Sequence, residues 1–353
     1  MFYVASLGVA LYLLVPLLPG LEHAVGVVAR ASKPLLVAAL AVELCSLLCY
    51  SELLARSVVA AARMRPSLKR RRLAGLGPWF TFRLAVCGLG AGRVFPGGGA
   101  LLAGIALEAL RRRGFSTAGV GLALITFSLV VYGVLGILCI VAFFYLVAHH
   151  DVATIVAVAG LVLFALLTVA VLGAYAAYRR SPRPGGFAEA LAARVEHLLS
   201  RLDALRGQAA DWARRLAATL RKELKVASEE LLGRPYRILR LGALAFGYWL
   251  LDALCLFFVF SALGAGVELW KLLVAYATAQ LVQAMPFMPP GGLGAAEGTF
   301  ISMFALLGMN PGATVIPVLG YRLFNYWMPI PLAAIFYPTL RLGAKKARAH
   351  KVR

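Results

Sequence analysis

Residues 283–300 read QAMPFMPPGGLGAAEGTF and lie inside one of the most apolar regions of the chain. Three prolines (Pro286, Pro289, Pro290), a run of glycines and Glu297 have no place in a continuous membrane helix. Proline removes a backbone donor and blocks helix continuation. Glycine permits left-handed backbone and close approach. The break bares N–H and C=O groups that hydrocarbon cannot satisfy, so such backbone survives at membrane depth only where protein or a watery cavity covers it. The free N–H groups of a half-helix also attract anions. The stretch therefore predicts a broken, membrane-embedded helix with a carboxylate at the break.

The rest of the chain supports a bilayer setting. It has 353 residues, 61% of them hydrophobic and only 14% charged, with a mean hydropathy of +0.83. Soluble domains average about 25% charged residues. The expected fold is all-α and polytopic, with six full spans at about 2–20, 35–58, 118–147, 152–178, 238–264 and 312–338, each near the length that crosses a hydrocarbon core. The first run, FYVASLGVALYLLVPLL, lacks a basic n-region and a small-residue cleavage site, so it reads as a retained span. Two further apolar stretches, 78–110 and 268–309, are interrupted by proline and glycine.

The net charge is +21. By count, 30 of the 36 Lys and Arg fall at 56–72, 111–113, 179–240 and 341–353. The positive-inside rule places these clusters, and both termini, in the cytoplasm of a plasma-membrane protein, facing anionic lipids. Both ends of 78–110 then lie on one side. Its length falls short of two spans at ~20 residues each, so it should dip in and return, turning at Phe95-Pro96-Gly97-Gly98-Gly99. Following the chain onward, 268–309 should form a second re-entrant pair from the opposite side. Three parts result: a first membrane half (1–178) with hairpin 78–110, a cytoplasmic insertion (179–237), and a second half (238–353) with hairpin 268–309 and a basic tail.

The insertion carries 13 basic and seven acidic residues. Leu191, Val195, Leu198, Leu202, Leu205, Ala209, Trp212 and Leu216 recur at alternating spacings of four and three, which predicts an amphipathic helix. It can pack on its own chain, pair a homodimer through 187–231, or lie on the membrane surface.

An internal repeat emerges at an offset of 194 residues. PGGGALLAGIALEALRRRGFSTAG (96–119) aligns without a gap on PGGLGAAEGTFISMFALLGMNPGA (290–313). Pro96, Gly97 and Gly98 meet Pro290, Gly291 and Gly292, and Gly114 meets Gly308. An odd number of crossings between them makes the units inverted. Inverted repeats with matching breaks mark midplane binding sites in secondary transporters.

Charged groups at membrane depth cost roughly 2.5–3.5 kcal/mol each on insertion scales. The set is Glu43, Arg83, Arg93, Glu108, Asp252, Glu297 and Arg322, with Gln280, Gln283 and Asn325 as polar company. Glu108 should pair locally with Arg111 or Arg112. Arg83 and Arg93 can snorkel to the cytoplasmic side, although Arg93 precedes the first PGG by three residues. The candidate substrate-binding residues are Arg322, Glu297, Asn325 and Arg93, with Gly97, Gly98, Gly291, Gly292 and Gly294 in the turns. Arginine offers a planar fork suited to phosphate. Candidate proton-coupling residues are Glu297, Asp252 and Glu43, because a buried carboxylate can hold a proton near neutrality. A purely structural Glu297–Arg322 brace, and purely structural roles for Glu43 and Asp252, stay open.

Several classes are disfavoured. The basic clusters lack interleaved aromatics, so nucleic acid is not an expected partner. Cys45, Cys49, Cys87, Cys139 and Cys255 form no CxxC pair, which predicts neither a metal site nor a disulfide framework. No GxxxxGK[ST] loop signals an ATPase, and no HExxH motif signals a metalloenzyme. The predicted outer loops hold only the scattered acids Glu22, Asp151 and Glu268. No cofactor and no enzymatic activity are expected. The function expected is a flippase that moves a polar, anionic or phosphate-containing lipid between leaflets. The alternatives are a membrane-embedded lipid-modifying enzyme and a polyprenyl-phosphate-sugar translocase. A scaffold working through 187–231 would leave the paired breaks unexplained.

Pro290-Gly291-Gly292-Leu293-Gly294-Ala295-Ala296-Glu297, a PGGxGxxE pattern, is followed by Tyr321-Arg322-Leu323-Phe324-Asn325-Tyr326. With Phe95–Gly99 and Leu110-Arg111-Arg112-Arg113-Gly114-Phe115-Ser116 upstream, the chain resembles the transmembrane flippase region of the lysylphosphatidylglycerol synthase/flippase family over roughly 35–340. The resemblance implies lipid movement between leaflets. Bifunctional members carry an aminoacyltransferase domain after the membrane region. Here a short basic tail follows, so a stand-alone member without that activity is expected. Its long 179–237 insertion departs from the family pattern. Glycolipids and polyprenyl-phosphate sugars fit as cargo as well as aminoacylated phospholipids do.

Overall fold

A computed structural model describes residues 30–63, 76–94, 98–115, 117–149, 235–284 and 290–349. All the described elements are helical. In chain order they are α1 (Lys33–Arg63), α2 (Pro78–Val94), α3 (Gly98–Arg111), α4 (Thr117–His149), α5 (Pro235–Ala262) and α6 (Leu269–Gln283). A 3-10 turn at Pro290–Gly292 leads to α7 (Ala295–Leu306) and α8 (Pro311–Arg322). A π-helical turn at Leu323–Trp327 leads to α9 (Pro329–Ala349). The expected spans at 2–20 and 152–178, and nearly all of the 179–237 insertion with its 187–231 seam, lie outside the described residues.

Three described helices, α1, α4 and α5, are long and apolar enough to cross a membrane. The chain is an integral membrane protein, and every element among the described residues is a helix. α4 turns Leu129, Ile137 and Val141 outward, as a helix must when its solvent is lipid. Hydrocarbon is as apolar as leucine, so helix association there rests on close packing and interhelical hydrogen bonds. The closest partnership is α1 with α5, where the Ser46 hydroxyl donates to the Tyr248 carbonyl at 3.0 Å. The Trp249 indole N–H ties α5 to α4 through the Val131 carbonyl at 2.9 Å. Inside, Leu53, Leu54, Leu256, Phe260, Phe300 and Phe304 are fully buried.

Both interrupted stretches are broken where proline and glycine predict. The 78–110 stretch forms α2 and α3, which pack on each other. The 268–309 stretch forms α6 and α7, also packed together, with the break between Gln283 and Ala295. These helices have 17, 14, 15 and 12 residues. At ~1.5 Å per residue none exceeds about 26 Å, short of the ~30 Å hydrocarbon core.

The two hairpins also end alike. The Gly114 N–H bonds to the Arg111 carbonyl and the Phe115 N–H to the Leu110 carbonyl. The same two bonds recur at the offset of 194, from Gly308 to Ala305 and from Met309 to Phe304. Gly114 and Gly308 both have positive φ, 89° and 80°. This is the hydrogen-bond pattern of a Schellman cap.

Within the 312–338 stretch, α8 passes through the π turn into α9. The cause is local. Pro329 has no N–H to give the Asn325 carbonyl, and its ring crowds that carbonyl. The Met328 N–H instead reaches back five residues to the Leu323 carbonyl at 3.0 Å. The wider turn buries both Asn325 and Tyr326.

α2 meets α9 at Gly90, where an added Cβ would fall 2.6 Å from the Pro329 carbonyl oxygen and 2.5 Å from the Ala333 Cβ. Gly104 on α3 has nothing within 4 Å of the same position. Gly90→Ala is therefore expected to cost about 1–3 kcal/mol through overpacking, whereas Gly104→Ala should gain up to ~1 kcal/mol from helix propensity. Melting of the two detergent-solubilised variants, followed by size-exclusion chromatography, checks the opposite signs.

Candidate functional site

The break between α6 and α7 is built from glycine. Gly291, Gly292 and Gly294 have φ of 60°, 70° and 79°, a region that costs other L-residues roughly 1–2 kcal/mol each. Space forbids a side chain at Gly291 as well: a Cβ there would sit 2.2 Å from the Tyr326 ring. The chain then enters α7 with Gly294 as its N-cap.

Glu297 holds this turn to the next helix. Its Oε2 accepts the Gly294 N–H at 2.7 Å, satisfying one of the free donors at the helix start. Its Oε1 accepts the Arg322 Nε–H at 2.6 Å. The Arg322 side chain is 2% exposed and that of Glu297 15%. Arg322 also donates from its Nη2 to the Gly291 carbonyl at 3.1 Å, and the Gln283 amide donates to the same oxygen at 3.1 Å. The Tyr326 ring lies 4.5 Å from the Arg322 guanidinium, within cation–π range.

One part of the guanidinium remains unsatisfied. The Nη1 of Arg322 is buried and has no hydrogen-bond partner. Buried donors are almost always paired, and an unpaired one costs about 1–3 kcal/mol. The site thus presents an unfilled donor beside a positive-φ glycine turn and the N-terminus of α7, a set suited to an anionic oxygen.

Arg93 joins from the other hairpin. It is 7% exposed, so it does not snorkel. Its Nη1 donates to the Tyr326 carbonyl at 3.3 Å, and the Tyr326 hydroxyl donates back to the Arg93 carbonyl at 2.7 Å. Both hairpins therefore meet the π turn at one tyrosine.

Asp252 on α5 is fully buried. Its Oδ2 accepts from the Tyr276 hydroxyl (2.6 Å) and the Gln280 amide (3.0 Å). Its Oδ1 accepts from the Asn325 amide at 2.8 Å, and the Tyr321 hydroxyl lies 3.0 Å from both oxygens. Asn325 is thus placed on Asp252 rather than beside Glu297. Glu43, on α1, lies against Asp252 and Cys255.

The remaining expectations divide cleanly. Gly98 opens α3, and Gly97 lies outside the described residues. Arg112 pairs with Glu108 at 2.5 Å, the local contact expected. Arg83 is half-buried and donates to the Thr339 hydroxyl at 2.9 Å. In the loop after α3, Arg113 lies 3.5 Å over the Phe80 ring, and burial, then the nearby Arg83, lower its pKa. All described cysteines are free. Tyr276, Tyr321 and Tyr326 supply hydroxyls to the cluster that a hydropathy reading conceals, because tyrosine counts there as apolar.

Removing one partner of a buried ion pair strands the other charge, at about 3–5 kcal/mol, whereas removing both can be nearly neutral. Glu297→Gln is therefore expected to destabilise the protein by roughly 3 kcal/mol. Adding Arg322→Gln should recover a large part of that loss, as read from thermal or denaturant unfolding in micelles.

Comparison with known proteins places this geometry. Residues 3–333 match the family described as "Lysylphosphatidylglycerol synthase TM region". A UPF0104 membrane protein of Methanothermobacter thermautotrophicus is 28% identical over 122 residues, 34% of this chain and 33% of the relative. The inner membrane protein YbhN of Escherichia coli is 38% identical over 60 residues, 17% of this chain and 19% of that one. These matches span a third or less of the curated relatives' length. The family match covers nearly the whole chain, from before the described helices to within α9, and the chain is a member of the lysylphosphatidylglycerol synthase transmembrane-region family.

Proposed function

We propose that this protein is a lipid translocator of the plasma membrane, moving an anionic or phosphate-bearing lipid headgroup between leaflets, without an ATPase and without chemistry on the lipid. The observation that carries the reading is the buried, unpartnered Nη1 of Arg322 at the broken helix. A phosphate oxygen satisfies that donor, and the neighbouring α7 N-terminus favours the same charge. Glu297 keeps Arg322 neutralised while the site is empty and yields part of the fork to an arriving headgroup.

The packing supports an inverted repeat as the frame of this site. Exchange α1 with α5, α2 with α6, α3 with α7, and α4 with α8–α9. The contact of α2 with α9 becomes that of α6 with α4, and α1 with α4 becomes α5 with α8. The α1–α5 contact maps onto itself. On this reading both hairpins are re-entrant and face each other from opposite leaflets. Six full spans surround them, and both termini are cytoplasmic. The basic clusters hold anionic lipid at the inner face. The family name supports a lipid cargo. Aminoacylated phospholipid and polyprenyl-phosphate sugar both carry a phosphate of the kind an arginine fork binds; a glycolipid meets the same site only where its headgroup is anionic.

Native mass spectrometry of purified wild type and Arg322→Ala tests the reading. Wild type is expected to retain an anionic lipid that the variant loses. In proteoliposomes, tail-labelled phosphatidylglycerol should cross at least ~10-fold more slowly with Arg322→Ala, as befits loss of a charge-assisted contact. Unchanged crossing in both Glu297→Gln and Arg322→Ala would dismiss the site.

A further inference from the structure

We propose that Glu43 and Asp252 form a buried carboxyl pair holding one exchangeable proton, and that this proton is linked to headgroup occupancy of the Arg322 site. The proposal rests on the translocation reading above and names what couples to it.

The geometry is specific. Glu43 is 1% exposed and Asp252 0%, on the two most closely packed helices. Asp252 is surrounded by neutral donors, two tyrosine hydroxyls and two amides. These suit an ionised carboxylate and do not neutralise it. Glu43 and Asp252 are neighbours across the α1–α5 contact, yet the buried Oε2 of Glu43 has no hydrogen-bond partner. Two facing carboxylates have no hydrogen between them. A proton on Glu43 Oε2 supplies one, so that Glu43 donates O–H to Asp252, and the pair bears one charge in place of two. Adjacent buried carboxyls cannot both ionise without a large cost.

The other titratable groups facing Glu43 are known. Arg93 from α2 is a cation near it, and Cys255 borders it on α5. Tyr248 of α5 and Tyr321 of α8 also interact with it electrostatically. α4 contributes Tyr132, which acts on Tyr50 of α1. None of these phenols or thiols competes for the proton near neutrality.

The link to Arg322 runs through one helical stretch. Tyr321 and Asn325 grip Asp252 while Arg322, between them in sequence, grips Glu297 and the Gly291 carbonyl. In this cluster three carboxyls (Glu43, Asp252, Glu297) face two guanidiniums (Arg93, Arg322). One proton makes it neutral. Releasing that proton to water leaves an extra negative charge, which opposes an anionic headgroup. By reciprocity, headgroup binding then strengthens proton binding. Both oxygens of Glu297 accept hydrogen bonds, one of them from Arg322, whereas Glu43 has an oxygen to spare.

Two measurements on the full chain test this. Infrared spectra of wild type at neutral pH should show a protonated-carboxyl C=O band that shifts in heavy water and disappears in Glu43→Gln. No such band in wild type, or one that persists in both Glu43→Gln and Asp252→Asn, overturns the pair. In vesicles of phosphatidylcholine with labelled phosphatidylglycerol, the wild-type crossing rate should fall by up to ~10-fold per pH unit above the pair's titration, the slope of one proton. Glu43→Gln, permanently neutral, should lose that slope; an unchanged slope overturns the linkage. Failure of the translocation reading looks different. Wild type would then carry the band and move no labelled phosphatidylglycerol at any pH, which removes the linkage with it.

Discussion

The Glu297–Arg322 pair is the contact on which the second half of the molecule is organised. Glu297 accepts from the backbone of the glycine turn and from the guanidinium on the next helix. It therefore fixes the start of α7 and the end of α8 with one carboxylate. A broken helix in lipid must satisfy its exposed backbone locally or fall apart. Here Glu297, Gln283 and Arg322 do that for Gly294 and Gly291. The glycine turn, which looks weak in a hydropathy reading, is tethered by three side chains.

Around that pair the protein concentrates its polar chemistry into a small buried region. Arg93 and Tyr326 exchange hydrogen bonds across the two hairpins, and Asp252 collects donors from α6, α8 and the π turn. Each such group is costly at membrane depth when alone. Together they convert that cost into a network whose few loose ends, Arg322 Nη1 and Glu43 Oε2, are the positions where an anion and a proton would be accommodated. The π turn matters here because it lets Tyr321, Arg322, Asn325 and Tyr326 all face inward from one short segment.

Legibility followed the kind of signal. Proline–glycine punctuation exposed both helix breaks, since it acts through the local backbone. The ion pair was legible because a carboxylate and a guanidinium in apolar runs need each other. The repeat aligned Gly114 with Gly308, and the structure shows the same cap at both. The π turn in 312–338 was not legible: Pro329 and Pro331 sit in a strongly apolar run, and how a helix continues past them depends on what receives the freed carbonyl. Arg93 looked free to snorkel because its distance from Tyr326 is a tertiary fact.

The sequence by itself determined the membrane setting, the helical class and the places where helices must stop, because these depend on hydropathy, residue length and backbone chemistry over a few neighbours. It also determined which ionisable side chains would have to find partners. Which partners they found was decided only in three dimensions. Asn325 turns to Asp252 rather than Glu297, and Glu43 meets a residue more than two hundred positions away. Those choices depend on how α1, α5, α6 and α8 pack, and packing in lipid is set by shape and hydrogen bonds that no linear pattern encodes.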